Sequence, residues 1–214
     1  MTWHSFSFGP HYDPDRVGFG PMLVHDDHLL GNGQGFETHH HERVEIVTWV
    51  LSGALTHTDS TGATSELRPG SVGILSAGAG VDHSEIAAAP QTRFVQVWLT
   101  SDDPDRTPSY AVVPVSVAEG RFTEVAAPVA GASFAVARLA AGESVTLPEA
   151  RLRHLFVASG ALLRNSLAEP LAAGDAYEIG PDAPADQAGD PASAPAPVVL
   201  TAGVPTELLL WSFS

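Results

Sequence analysis

Val50-Leu51-Ser52-Gly53-Ala54-Leu55 recurs as Val157-Ala158-Ser159-Gly160-Ala161-Leu162, and Leu67-Arg68-Pro69-Gly70 recurs as Leu171-Ala172-Ala173-Gly174. The paired glycines lie 107 and 104 positions apart, close to half of the 214-residue chain. A period of that size is a whole folding unit, so the chain is expected to contain two copies of one architecture. Short β-rich runs such as Glu45–Leu51, Phe94–Leu99 and Glu207–Phe213 alternate with turn signals such as Asp59-Ser60-Thr61-Gly62, Arg68-Pro69-Gly70 and Ala140-Ala141-Gly142-Glu143. Even spacing of short strands and turns argues for all-β barrels or sandwiches, and no long stretch carries a 3.6-residue apolar period. We place one unit over 1–115 and the other over 116–214, with Leu99–Pro108 as the connector out of the first. Pro181–Pro197, mostly Pro, Ala, Asp and Gly, reads as a surface loop.

Composition removes several kinds of chemistry. Cysteine is absent, which excludes disulfides, thiolate ligands and thiol catalysis. All ten basic residues are arginine, so there is no lysine for a Schiff base or a P-loop. A net charge of −15 without a basic cluster argues against direct nucleic-acid binding. No apolar run approaches the length of a membrane span, and Met1–Phe6 lacks the basic start and hydrophobic stretch of a secretory signal. The expected location is cytoplasmic.

The chemistry concentrates in Gly35–Glu85. Alternate residues of a strand share a face, so His39 and His41 project together while His40 projects the other way. His83 and Glu85 repeat that spacing on a second strand, after the glycine-rich Ser76–Gly80. If the strands are neighbours, three imidazoles and a carboxylate converge on one divalent transition metal and leave positions open for water or substrate. Glu45 shares the inward parity and is a rival fourth ligand, or a partner that orients a histidine. His25-Asp26-Asp27-His28, beside Leu29–Gly33, reads as a hairpin turn. Carrying the repeat offsets from the four ligands lands on Thr146, Pro148, Gln187 and Gly189. The second unit is therefore expected to lack a metal, and His154 to be an ordinary strand residue.

These motifs resemble those of the pirin family of bicupins, close to its bacterial quercetinase-like members. The resemblance runs through Trp3–Phe8 and Tyr12-Asp13-Pro14, Gly33–His41, and Pro69–Val72 through Ser76–Glu85. It implies two β-barrels of the double-stranded β-helix, or jelly-roll, type. It implies metal ligation by His39, His41, His83 and Glu85, the set that strand parity gives. The residue between the first two histidines is often proline in the family, and here it is His40.

The resemblance further implies a quercetin 2,3-dioxygenase activity. A flavonol-like substrate and dioxygen would be the partners, Glu85 would accept the flavonol proton, and the ring would open with loss of carbon monoxide. Iron is the first expectation for the metal; nickel, copper, zinc, manganese and cobalt suit the same ligands. The alternative implied by the family is a non-enzymatic, redox-sensing regulator that binds partner proteins.

Overall fold

The structure is a computed structural model that describes residues 1–7, 12–163, 170–180 and 197–214. It is built of strands, and among the described residues no helix is long and apolar enough to cross a membrane. The chain divides into two compact units, Met1–Ser116 with Pro128–Ala130, and Val117–Ala127 with Gly131–Ser214. Most of the expected loop at 181–197, and with it Gln187 and Gly189, lies outside the described residues.

The first unit carries two antiparallel sheets. The larger comprises β1 (Thr2–His4), β2 (Met22–Leu30), β4 (Val44–Ser52), β7 (Ser71–Ser76), β9 (Thr92–Thr100) and β10 (Ser109–Pro114), in the order β1-β2-β9-β4-β7-β10. The smaller comprises β3 (Gly35–His41), β5 (Leu55–Asp59), β6 (Thr64–Leu67) and β8 (Val81–Ala87), in the order β3-β8-β5-β6. Buried Val50 and Phe94 of the larger sheet pack with buried Leu55 and Leu67 of the smaller, which closes one part of the core. Ile46, Leu75 and Val81, with Trp98 and Tyr110 against them, form another. The histidine motifs lie on the smaller sheet, facing this interior.

The second unit repeats the plan. Its main sheet joins β11 (Thr123–Ala126), β12 (Ala132–Leu139), β14 (Leu152–Ser159), β15 (Ala176–Ile179) and β17 (Thr206–Phe213), in the order β11-β12-β17-β14-β15. Reading the two orders side by side matches β1 to β11, β2 to β12, β9 to β17, β4 to β14 and β7 to β15. The repeated glycines occupy matching places. Gly53 (φ 77°) follows β4 and Gly160 (φ 83°) follows β14. A side chain on Gly53 would strike Thr92 at the start of β9, and one on Gly160 would strike Thr206 at the start of β17. Each threonine hydroxyl donates to a carbonyl, of Ala54 and of Ala161 respectively, so one local lock is used twice. Among the described residues the smaller sheet comprises β13 (Ser144–Thr146) paired with β16 (Val199–Thr201), where valine, leucine and hydroxyl residues stand in place of histidines.

Two expectations are corrected. Leu99–Pro108 does not lead out of the first unit, because β10 follows it and pairs with β7 along its whole length. His25-Asp26-Asp27-His28 is not a turn. It is the middle of β2, and all four residues are buried. Such a polar run is tolerated inside because distant partners meet it. His28 shares a hydrogen bond with Thr2, Asp26 with His4, and His25 with Ser5, while Arg93 donates twice to Asp27 at 3.0 and 2.6 Å. The turn comes just after, at Asn32-Gly33.

A candidate metal centre

β3 and β8 are neighbours, and His39 lies directly opposite His83. One extra residue in β3 shifts the register between Phe36 and His39. The bulge turns Phe36 and His39 to the same face although they are three apart, which strict alternation would forbid. A Cβ on Gly35 would come within 2.0 Å of the Glu85 carbonyl oxygen, so only glycine lets β3 approach β8 at the start of this ladder.

One nitrogen from each of His39, His41 and His83 lies within 4.8 Å of the others. One ligand atom from each of His57, His83 and Glu85 satisfies the same limit. Three of the four expected ligands thus form one group, and Glu85 meets it through their shared member His83. The proton positions favour ligation. His39 Nδ1 lies 2.7 Å from the Glu37 carbonyl oxygen, which can only accept, so Nδ1 carries a hydrogen and Nε2 is the nitrogen left for ligation by the neutral ring. The Nε2 atoms of His41 and His83 are buried and have no hydrogen-bond partner among the described residues. Buried polar atoms are seldom left so, and converging imidazole lone pairs are a fitting donor set for a divalent transition metal.

Burial sets the charge states. It pushes the imidazolium of His41 down to about 4 and that of His83 down to about 3, with neighbouring histidines adding to both shifts. Both rings are therefore neutral, as ligands must be, across the physiological range. Glu85 is 2% exposed, and burial raises its carboxyl to about 7 against the lowering effect of a hydrogen bond from Gln96. Gln96 Nε2 donates to Glu85 at 2.6 Å, and Trp98 Nε1 donates to Gln96 Oε1 at 3.1 Å, which fixes the direction of the amide.

Glu45 is buried on β4, but its carboxylate accepts from Ser76 at 2.5 Å and from Ser101 at 2.7 Å. It belongs to neither ligand group among the described residues. His40 points away, pairing with Asp82 at the surface. Sequence reasoning missed His57, Asp59 and Gln96. His57-Thr58-Asp59 carries the same alternate spacing as the two ligand motifs, but in the sequence Asp59 reads as the first residue of a turn. It does build that turn, since Oδ1 accepts from Thr61, while Oδ2 accepts from His57 Nε2 at 2.9 Å. In the second unit His154 is a buried residue of β14, as expected.

A cavity of about 560 Å³ opens beside the centre, lined by Thr2, His4, Asp26, His28, Gly35, Phe36, Glu37, His39, Gln96 and Trp98. That is the size of a small-molecule site, and its wall includes the aromatic rings of Phe36 and Trp98 as well as polar groups.

Comparison with known proteins agrees with this picture. The family model described as Pirin matches residues 1–99. A Mycobacterium tuberculosis protein provisionally named a quercetin 2,3-dioxygenase is 39% identical over 97% of this chain and 86% of its own length. A quercetin 2,3-dioxygenase of Escherichia coli is 39% identical over 51% of this chain and 48% of its own. A crystal structure of an Escherichia coli bacterial pirin in complex with nickel(II) superposes with a TM-score of 0.82 at 25% identity, covering 99% of this chain and 90% of that one. The likeness spans both units and agrees with a bicupin architecture.

Proposed function

The chain belongs to the pirin family, and from that premise we propose that it is a metal-dependent dioxygenase that opens the ring of quercetin-like flavonols. The observation that carries the reading is the meeting of His39, His41 and His83, two with orphaned buried Nε2 atoms, beside a cavity with aromatic walls. Together with Glu85 they would hold one divalent transition metal, with iron as the first expectation. When bound, the metal supplies Lewis acidity toward a hydroxyl oxygen and a site for oxygen chemistry.

The protein's own residues do the rest. Phe36 and Trp98, on the cavity wall, offer flat apolar surface to the substrate rings. Glu85, buried beside the three histidines, would accept the flavonol hydroxyl proton. Gln96 holds the Glu85 carboxylate from one side by donating to Oε2.

Oxygen uptake by metal-loaded protein on adding quercetin tests the reading, with His41→Ala as control. Uptake that disappears in the control supports a dioxygenase at this centre. Absence of uptake with every metal of the expected series sinks it in favour of the redox-sensing, partner-binding alternative.

A further inference from the structure

His83 faces two ways. Its Nε2 is the orphaned atom of the metal group, and its Nδ1 lies 3.3 Å from Nδ1 of His57. His57 is fully buried, and its Nε2 lies 2.9 Å from Oδ2 of Asp59. The Tyr110 ring stacks on His57 at 3.6 Å and 10°, which fixes the imidazole plane. Register explains the alignment: on β5 and β8, Asp59 lies opposite His83 and His57 opposite Glu85, so all four side chains share one face.

We propose that Asp59 and His57 are positioning residues that hold His83 in the tautomer able to bind metal. The direction follows from donors and acceptors. A carboxylate only accepts, so the bond to Asp59 puts the hydrogen on His57 Nε2. With His57 neutral, its Nδ1 is a bare acceptor, and the second bond then requires the hydrogen on His83 Nδ1. His83 Nε2 is thereby left with a lone pair toward His39 and His41. The reverse arrangement, with His57 donating to His83 Nδ1, puts the hydrogen on His83 Nε2 and blocks ligation. Only one polarity of the chain is compatible with a metal, and Asp59 selects it. The carboxylate also makes His83 a stronger donor, as partners behind ligating imidazoles do. Asp59 is suited to the task because Thr61 Oγ1 and the Thr61 and Ala63 amides hold its other oxygen in place.

This inference rests on the metal reading above, and three variants separate the two. His57→Gln keeps the polarity, since an amide can accept from His83 and donate to Asp59. Asp59→Asn reverses it, by offering an N–H where His57 needs an acceptor. His57→Phe keeps a ring for Tyr110 and removes the chain. Nickel(II) affinity is expected to fall about 10–100-fold in Asp59→Asn and His57→Phe and to stay close to wild type in His57→Gln. Metal-free samples give an independent reading by nitrogen-15 correlation spectra of the imidazoles. His83 should carry its hydrogen on Nδ1 in the wild type and on Nε2 in Asp59→Asn. A wild type that binds nickel while Asp59→Asn binds it equally well overturns the positioning role alone. Equal losses in His57→Gln and His57→Phe do the same, since a purely structural role predicts that result. A wild type that binds no nickel overturns both readings.

Discussion

Glu85 is the residue whose environment says most about chemistry. A carboxyl buried without a cationic partner keeps its proton to unusually high pH, and here burial places it at about 7. Replacing it with Gln keeps the shape and the bond from Gln96 but removes the proton acceptor. We expect Glu85→Gln to lower flavonol turnover by roughly 10²–10⁴-fold while the three histidines still hold metal. Unchanged turnover with metal in place would remove Glu85 as the base. The same group sets how metal affinity depends on pH. In the metal-free protein Glu85 is protonated below about 7, whereas His41 and His83 stay neutral down to about 4 and about 3. A ligating Glu85 must release its proton, so acid competes with metal there first. The dissociation constant for nickel(II) should rise about tenfold per pH unit as the pH drops below about 7. Glu85→Gln should flatten that slope. A slope that persists in the variant would assign the proton to another group.

At the scale of strands and turns, the repeat makes a paired prediction. Gly53 and Gly160 have positive φ, and a Cβ at either would meet threonine backbone and hydroxyl at 2.8 Å or less. Gly70 and Gly174 also have positive φ, but nothing lies within 4 Å of the added carbon. Alanine at 70 or 174 should therefore cost only the conformational penalty of about 1–2 kcal/mol. Alanine at 53 or 160 should cost clearly more, because a strand end must move as well. Midpoints of denaturant unfolding check the ranking, and equal costs at all four positions would refute it. This is also the scale at which legibility divides. Parity fixed the faces of His39, His41, His83 and Glu85, because a period of two is written in the sequence itself. The bulge before His39 was not legible, since Glu37 and Thr38 are ordinary strand residues whose offset is set by the ladder with β8. Nor was the burial of His25 to His28, whose partners Thr2, His4, Ser5 and Arg93 arrive from β1, the residue after it and β9. A polar run looks like a turn until the groups that satisfy it are known. His57 was missed for a different reason: its motif ends in a true turn, and the turn hid the second use of Asp59.

At the scale of the whole chain, one architecture is used twice, and the two copies differ in their smaller sheet. In the first unit that sheet has four strands and carries both groups of residues that could hold a metal among the described residues. In the second, the strands of that sheet among the described residues are β13 and β16, and one core cluster is built on buried aliphatic residues, with Leu139, Leu147, Leu155, Leu200 and Leu210 among them. Metal binding should therefore act on one unit only. A ligand that binds the folded form alone stabilises it by RT ln(1 + [L]/Kd), about 2.7 kcal/mol at a free concentration 100 times Kd. The amides of β3, β4 and β8 that exchange through opening of the first unit should then slow about 100-fold. Those of β12, β14 and β17 should be unchanged. Hydrogen exchange with and without nickel(II) reads both sets in one sample. Slowing confined to the first unit would mean that the second contributes no ligand and opens independently. Equal slowing in both would show that the units unfold as one, which the placement of the candidate ligands in the first unit does not require. No slowing in β3 and β8 would place the metal away from the histidines altogether.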